Sequence, residues 1–221
     1  MPELKWKGHE TTGMLITFCG LDGCGKTTMI RMLDDWLREQ GEEPFLTKQP
    51  TDFIRETRIF RTYMDEPNHD AYDYRSLSLL AAGDRVQHSS KVIYPQLQQG
   101  RWIVSDRYFY SCVANLRARG YREDQWIYEI SEAIVRPDLS FFLDLPVEAA
   151  VRRVRERPEE QSRYIDMELQ YRLREEYLQL ARDNGGIILP SLLSGEQTFE
   201  IVKAYVERCR KEKQKGEKDG R

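Results

Sequence analysis

The sequence predicts an α/β fold in which about five parallel strands form one sheet with helices on both faces. The chain has 221 residues, which suits a single domain, and 40% of them are hydrophobic, enough for a sizeable core. Short apolar runs alternate with amphipathic stretches along the chain, as they do in proteins with a mostly parallel sheet. The first apolar run passes through a glycine-rich turn into an amphipathic stretch, which indicates a strand followed by a helix.

Each strand is predicted from an apolar run, and each helix from apolar residues at helical spacing. The predicted strands cover residues 14–19, 44–47, 102–105, 139–143 and 186–189. The predicted helices cover about residues 26–40, 52–64, 71–99, 109–118, 123–135, 146–157, 167–182 and 197–211. Pro146 suits the first turn of its helix, whereas Pro137 breaks the chain before the fourth strand. Residues 212–221 are predicted to be a basic, disordered tail, because the chain has no apolar side chain from residue 213 onwards.

The charge and the composition argue against several classes of protein. The net charge is −3, although the last fourteen residues carry seven Lys or Arg against three Asp or Glu, so the rest of the chain is acidic. An acidic body argues against a nucleic-acid-binding face. No apolar run reaches the roughly 18 residues of a membrane span, and the N-terminus lacks the apolar stretch of a secretory signal. The 4 cysteines lack zinc-ligand spacing, which favours free thiols and a cytoplasmic location.

Residues 20–27, Gly-Leu-Asp-Gly-Cys-Gly-Lys-Thr, match the G-x-x-x-x-G-K-[ST] phosphate-binding loop, or P-loop. The motif lies between a predicted strand and a predicted helix, where backbone N–H groups and the positive end of the helix dipole can hold phosphates. Lys26 would place a positive charge on the transferred phosphate, and the Thr27 hydroxyl would bind Mg²⁺. We therefore predict a P-loop NTPase fold with an ATP site formed by Gly20, Asp22, Gly23, Cys24, Gly25, Lys26, Thr27 and Thr28.

Kinases, ATPases and GTPases all use such a loop. A GTPase usually also has a guanine-reading Asn/Thr-Lys-x-Asp motif, and Thr47-Lys48 lacks the final aspartate, so we set the GTPase interpretation aside. Two predicted strands end in an aspartate, Asp106 and Asp144, and either could hold Mg²⁺ through water at the edge of the sheet. Arg107 directly follows Asp106, so an anion-binding guanidinium leaves the same strand end.

Several motifs, in the right order from residue 14 to about residue 190, resemble those of the thymidylate kinases. The P-loop and Asp-Arg-Tyr are the specific ones, whereas Arg-Pro-Asp and the arginine-rich segment are weaker on their own. The set comprises residues 20–28, Thr-Lys-Gln-Pro at 47–50 (Thr-Arg-Glu-Pro in the family), Asp-Arg-Val-Gln-His at 84–88, Asp-Arg-Tyr-Phe-Tyr-Ser at 106–111, Arg-Pro-Asp at 136–138 and an arginine-rich segment at 153–163. The resemblance implies a Mg²⁺-dependent kinase that converts dTMP and ATP to dTDP and ADP.

The resemblance also implies roles for individual residues. Asp22 would lie near the acceptor sugar, and Asp106 would help to hold Mg²⁺. Lys48 would take the place of a family arginine and bind the acceptor phosphate together with Arg107, although lysine lacks the bidentate fork of arginine. Arg85 would hydrogen-bond the acceptor base.

The resemblance further implies that the catalytic arginines lie in a lid at residues 152–164. Gly23 occupies the place where some family members carry an arginine within the P-loop, and members without it carry arginines in the lid. Arg157 and Arg163 are expected to act in catalysis, and Arg153 to contact ATP. Acidic residues are interleaved in this segment, so we expect only one or two lid arginines to touch phosphate, and the sequence leaves open which ones. The predicted catalytic set is Asp22, Lys26, Arg107, Arg157 and Arg163.

The half of the site that would read the base departs from the family. Ala81 stands where a phenylalanine commonly stacks on thymine in the family. Without that ring, the site lacks a stacking contribution to base binding of about 1 kcal/mol or more. Asn115 and Leu116 stand where Tyr-Gln is usual, although the rings at residues 108–110 could refill the pocket. The predicted acceptor-binding residues are Lys48, Ala81, Arg85, Arg107, Tyr108, Ser111 and Asn115. We therefore expect dTMP to be a poor or non-exclusive acceptor, although the resemblance keeps it as the first candidate.

Two alternatives stay open beside a dTMP kinase. One is a kinase of the same scaffold that acts on another nucleotide or on a small phosphorylated metabolite. The other is a nucleotide-binding regulatory protein without turnover. The expected partners are ATP and a nucleoside monophosphate, with a homodimer possible by resemblance, and neither nucleic acid nor a membrane is expected.

Overall fold

A five-stranded parallel sheet forms the centre of the fold, as predicted. The computed structural model describes residues 3–66, 71–190 and 193–219. The strand order is β2-β3-β1-β4-β5, and every neighbouring pair is parallel. The strands are β1 (Met14–Cys19), β2 (Phe45–Lys48), β3 (Trp102–Asp106), β4 (Leu139–Asp144) and β5 (Ile187–Pro190). Because the order reverses beside β1, a crevice opens at the carboxyl end of that strand, where ligands bind in open α/β sheets.

The helices connect the strands and cover the sheet. They are α1 (Lys26–Glu39), α2 (Asp52–Arg55), α3 (Arg58–Asp65), α4 (Tyr74–His88), α5 (Tyr94–Gln98), α6 (Phe109–Ala118), α7 (Trp126–Ile130), α8 (Val147–Arg155), α9 (Met167–Asp183) and α10 (Gly195–Asp219). All six residues of β1 are buried, and Phe18 on β1 stacks on Phe141 of β4 with 5.2 Å between ring centroids. No helix of the described residues is long and apolar enough to cross a membrane. All four cysteines are free.

Three of the predicted helices are interrupted or shortened. The helix predicted over residues 52–64 is divided into α2 and α3, because Thr57 starts a new helix by accepting a hydrogen bond from the Phe60 backbone N–H. The long helix predicted over residues 71–99 has a π-helical segment, Ser89–Ile93, between α4 and α5. Pro95 lies just after this segment and has no N–H to donate to the preceding turn. The helix predicted over residues 123–135 shortens to α7 and one 3₁₀ turn.

Helix α10 extends to Asp219, into the segment for which the sequence predicts a disordered tail. Charge rather than apolar contact holds this part of the helix. The Lys213 ammonium lies 2.8 Å from Asp138 Oδ1, and it donates to the backbone carbonyls of Gly13 at 2.5 Å and Thr11 at 3.2 Å. The final two residues of the predicted tail lie outside the described residues.

Candidate active site

Two glycines of the P-loop, Gly20 and Gly23, occupy positions where a side chain would clash with neighbouring backbone. Gly20 has a φ of 138°, and a Cβ there would lie 2.7 Å from the Leu143 carbonyl oxygen. Gly23 has a φ of 81°, and its Cβ would lie 2.2 Å from the backbone oxygen of Ala150 in α8. The loop is therefore enclosed between β4 and α8, directly after β1 and before α1.

Lys26 is held inside the P-loop at the start of α1. Its side chain is buried, and its ammonium donates to the carbonyl oxygens of Leu21 at 2.7 Å and Gly20 at 3.1 Å. Thr27 and Thr28, the next residues of α1, are exposed at the N-terminal end of the helix. This arrangement gathers a cation, two accessible hydroxyls and a helix N-terminus around one concavity, which suits a polyphosphate.

The two aspartates at strand ends differ in their partners. Asp144 accepts two hydrogen bonds from Arg174, at 2.6 Å to Oδ1 and 3.1 Å to Oδ2. By contrast, Asp106 Oδ1 is buried and has no hydrogen-bond partner among the described residues. No group of three or more His, Cys, Asp or Glu in the described ranges could hold a metal ion. Mg²⁺ needs few protein ligands, because it keeps most of its waters and binds substrate phosphates. The unpaired oxygen of Asp106 and the Thr27 hydroxyl fit such an ion. Asp144 fits it less well, because both of its oxygens are taken by Arg174.

A cavity of about 630 Å³ opens beside the P-loop. Residues of α2, α3, α4, α6 and α9 and of the lid after α8 form its walls. Eight of the predicted site residues line it: Asp22, Ala81, Arg85, Arg107, Ser111, Asn115, Arg157 and Arg163. The structure thus brings these side chains together around one space that is large enough for a nucleotide.

Arg107 and Asp22 form the charged centre of this cavity. Arg107 Nη2 donates to Asp22 Oδ1, and Arg107 Nη1 donates to the Gly20 carbonyl at 3.3 Å and to the Tyr177 hydroxyl at 3.0 Å. Burial alone would raise the pKa of Asp22, but Arg107, Lys26 and Arg163 hold it well below its usual range. Burial likewise opposes the charge of Arg107, while Asp22 raises its pKa overall. Both groups therefore stay charged at any physiological pH.

The backbone of Arg107 is strained. Its φ is 65°, in the left-handed region, where it is alone among the non-glycine residues described. Two hydrogen bonds hold this conformation: the Arg107 N–H donates to the Phe18 carbonyl at 2.8 Å, and the Ser105 hydroxyl donates to the Arg107 carbonyl at 2.7 Å. Strain of this kind persists where the surroundings fix it, and it clusters at functional sites.

The lid arginines differ in what they contact. Arg163 Nη2 lies 3.3 Å from Asp22 Oδ2, and Arg157 lines the cavity with an exposed side chain. Arg153 Nη1 lies 3.5 Å from the Gly23 carbonyl of the P-loop. Arg155 instead donates to the carbonyls of Glu160 and Gln161, so it supports the backbone of the lid itself. Arg157 and Arg163 are thus the lid arginines that reach the cavity.

Arg85 has one guanidinium nitrogen to offer a ligand. The side chain is buried, and Nη1 donates to the Ala81 carbonyl at 2.8 Å. Its Nε has no hydrogen-bond partner within the described part of the chain. Since a buried donor without an acceptor is costly, a ligand oxygen in the cavity would relieve this position.

Two predicted acceptor-binding residues do not line the cavity. Tyr108 is fully buried in the core, where it stacks on Trp6 and donates to the Val135 carbonyl at 2.7 Å. Lys48 is exposed and lies 3.7 Å from Asp52. Side chains alternate along a strand, and Thr47 faces α4, where its hydroxyl lies 2.9 Å from His88 Nε2. Lys48 therefore points away from the helix that forms a cavity wall.

Several residues of the cavity carry no motif and were not predicted from the sequence. Arg55 of α2 lines it, and its Nε donates to the Pro50 carbonyl at 2.8 Å. Burial, together with the charge of Arg107, lowers the pKa of Arg55. Arg119 lies 3.9 Å from the ring centroid of Tyr74. Tyr177 of α9 contacts Arg107, as described above, and its only signal in the sequence is helical spacing.

The comparisons with known proteins match most of the chain to one family. The family model described as thymidylate kinase matches residues 18–202. A probable thymidylate kinase of Pyrococcus abyssi is 36% identical over 200 residues, which cover 88% of this chain and 96% of that protein. A probable thymidylate kinase of Pyrococcus horikoshii is 39% identical over 171 residues, 76% of this chain and 83% of that protein. A thymidylate kinase of Synechococcus sp. is 29% identical over 204 residues, 88% of this chain and 95% of that protein.

Proposed function

The chain belongs to the thymidylate kinase family, and from this we propose that it transfers the γ-phosphoryl group of ATP to dTMP, giving dTDP and ADP. The observation that carries the proposal is the cavity of about 630 Å³ that begins at the P-loop and has Arg107 at its boundary. A phosphate held by Arg107 would lie next to the phosphates held by the loop. Donor and acceptor would therefore meet within one site.

The residues of this chain would act by position and charge, since phosphoryl transfer through a loose transition state needs little covalent chemistry. Lys26 and the P-loop N–H groups would hold the donor phosphates. Arg107 would hold the acceptor phosphate in line with them. Arg157 and Arg163, on the lid side of the cavity, would neutralise charge that develops on the transferred group and help to exclude water.

Mg²⁺ is part of the proposal, because the free oxygen of Asp106 and the accessible hydroxyl of Thr27 fit it. When bound, the ion would neutralise charge on the donor phosphates. Thr27 would ligate it directly from the start of α1. Asp106 would hold it through water from the end of β3.

The acceptor base would meet a wall that offers hydrogen-bonding groups and little stacking surface. Ala81 presents a methyl group, and the Ser78 hydroxyl and the Cys112 thiol lie 3.6 Å apart beside it in the same cavity. Arg85 offers its unpaired Nε for a base carbonyl. A site selects a base by stacking area and by hydrogen bonds that a wrong base leaves unpaired. We therefore propose that this site selects against other monophosphates less strongly than a site with an aromatic ring at position 81 would.

A screen of ADP release across nucleoside monophosphates and nucleosides tests the function. We expect ADP release that depends on a monophosphate, with dTMP among the best acceptors and a preference below about 10³ over the next one. The Lys26→Ala variant is the matched control and should give no acceptor-dependent signal. Absence of turnover with every monophosphate would contradict the kinase proposal. A preference for dTMP above about 10³ would contradict only the proposed weak selectivity.

The homodimer expected from the resemblance stays a prediction. Two consecutive leucines of α4, Leu79 at 50% and Leu80 at 46% exposure, offer apolar surface that a second copy of the chain would cover.

A further inference from the structure

The Tyr177 hydroxyl connects two elements of the acceptor site. It lies on α9 and is almost fully buried, with 3% of its surface exposed. The oxygen lies 3.0 Å from Arg107 Nη1, which leaves the end of β3, and 3.0 Å from Ser111 Oγ on α6. Two segments that are about seventy residues apart in the sequence, residues 107–111 and α9, therefore meet at one oxygen atom.

The direction of these hydrogen bonds is fixed by chemistry. An arginine guanidinium can only donate, so the tyrosine oxygen accepts from Arg107. Its own proton is then directed to Ser111 Oγ, which accepts it. Burial raises the pKa of Tyr177 to about 12, so the hydroxyl keeps this proton at any physiological pH. Ser111 thus orients the hydroxyl so that a lone pair of the tyrosine faces the guanidinium.

The other side-chain contacts of Arg107 all lie on the P-loop. Nη2 donates to the Asp22 carboxylate, and Nη1 also lies 3.3 Å from the Gly20 carbonyl. A carboxylate takes an arginine fork in a bidentate pair when nothing opposes it. Among the described residues, the Tyr177 hydroxyl is the hydrogen-bond partner that draws Nη1 towards α9 and the cavity. Without it, the partners of the guanidinium in the described part of the chain would all lie on the loop.

We propose that Tyr177, oriented by Ser111, is a positioning residue that keeps the Arg107 guanidinium directed at the acceptor phosphate and prevents it from pairing fully with Asp22. The inference rests on the proposed function, in which Arg107 holds that phosphate. The backbone of Arg107 is already held by its hydrogen bonds to Phe18 and Ser105. The Tyr177 hydroxyl therefore affects the position of the guanidinium and not that of the backbone.

The Tyr177→Phe variant removes the hydroxyl and keeps the buried ring. We expect kcat/KM for the monophosphate to fall about tenfold or more, because a hydrogen bond to a charged group is lost. The KM for ATP should stay within about twofold of wild type, since the hydroxyl does not contact the ATP side. Ser111→Ala should give a smaller loss of the same kind. Tyr110→Phe is the matched control, because Tyr110 is equally buried and its hydroxyl lies in the core, 3.4 Å from Ser140 Oγ.

A double-mutant cycle separates positioning from a purely structural effect. On the Arg107→Ala background, Tyr177→Phe should change kcat/KM for the monophosphate by less than about twofold, because the group it positions is gone. An equal loss on both backgrounds would overturn the inference. So would a Tyr177→Phe enzyme with wild-type acceptor kinetics, or one whose ATP and acceptor parameters worsen equally. If Arg107→Ala itself leaves acceptor use unchanged, the assignment of Arg107 in the proposed function fails instead.

Discussion

Replacement of Arg107 by alanine and by glycine should separate its function from its strain. Both variants remove the guanidinium, which we place on the acceptor phosphate, with two charge-assisted hydrogen bonds. At about 1.5 kcal/mol or more for each bond, the loss is about 3 kcal/mol, or about a hundredfold in kcat/KM for the monophosphate. ATP affinity should change little, because the donor phosphates are assigned to the loop and to Lys26.

The two variants should differ in stability. At a φ of 65° an alanine keeps the left-handed strain of the native arginine, whereas glycine adopts this conformation freely. After the larger chain entropy of unfolded glycine is subtracted, we expect Arg107→Gly to be more stable than Arg107→Ala by about 0.5–1 kcal/mol. For a domain of this size that corresponds to roughly 1–4 °C in Tm.

Three measurements on each variant check this reasoning. Steady-state kinetics with varied monophosphate and varied ATP give the two kcat/KM values, calorimetry gives the ATP affinity, and thermal unfolding gives Tm. Collapse of ATP binding with normal acceptor saturation would place Arg107 on the donor side and refute the assignment. A glycine variant no more stable than the alanine variant would refute the strain argument alone.

Three further predictions concern the loop, the lid and the last helix. Lys26→Ala should abolish transfer in a folded protein, and turnover within about tenfold of wild type would contradict the loop assignment. Arg157→Ala and Arg163→Ala should each lower turnover. Tm should be nearly unchanged for the exposed Arg157, since an exposed charge contributes at most about 1 kcal/mol, and should fall slightly more for Arg163, which is partly buried and pairs with Asp22 and Glu160; a drop of many degrees would make either residue structural. Burial opposes the charge of Asp138, but its hydrogen bonds hold its pKa below the usual value, so its contribution to stability is complete above about pH 4 and is lost as the pH falls. In the Lys213→Met variant, the free energy of unfolding should fall less with decreasing pH than it does in wild type. Identical pH profiles of the two proteins would exclude the Lys213–Asp138 ion pair as the cause.

The sequence predicted the features that depend on local pattern. The strand before the P-loop and the loop itself were predicted because a buried run, three glycines and a lysine lie within about a dozen residues. Asp106 and Arg107 were found because they end the third strand, and the carboxyl ends of parallel strands share one edge. The resemblance to a family then placed Arg85 and Arg163 at the same site.

Where the structure differs from the sequence-based predictions, the difference concerns properties that a local sequence pattern does not determine. Lys48 was placed by its motif, but strand alternation directs it away from α4. Tyr108 follows a catalytic motif, yet the packing of Trp6, from a distant segment, makes it a core residue. Tyr177 lies about seventy residues after Arg107, so only the packing of α9 on α6 reveals their contact. Side-chain direction and long-range packing decide these positions, and neither leaves a motif.

The close packing of Gly23 against Ala150 has a consequence for how charge is distributed in this enzyme. A side chain at position 23 would meet the backbone of α8, so an arginine does not fit at this position of the loop unless α8 moves. In the proposed mechanism the loop supplies one cation, Lys26, and no arginine. The arginine charge comes from outside the loop, from Arg107 at the end of β3 and from the segment beyond α8, whose Arg163 lies 3.3 Å from Asp22. The close approach of α8 to the loop thus assigns the arginines of the proposed site to other segments of the chain.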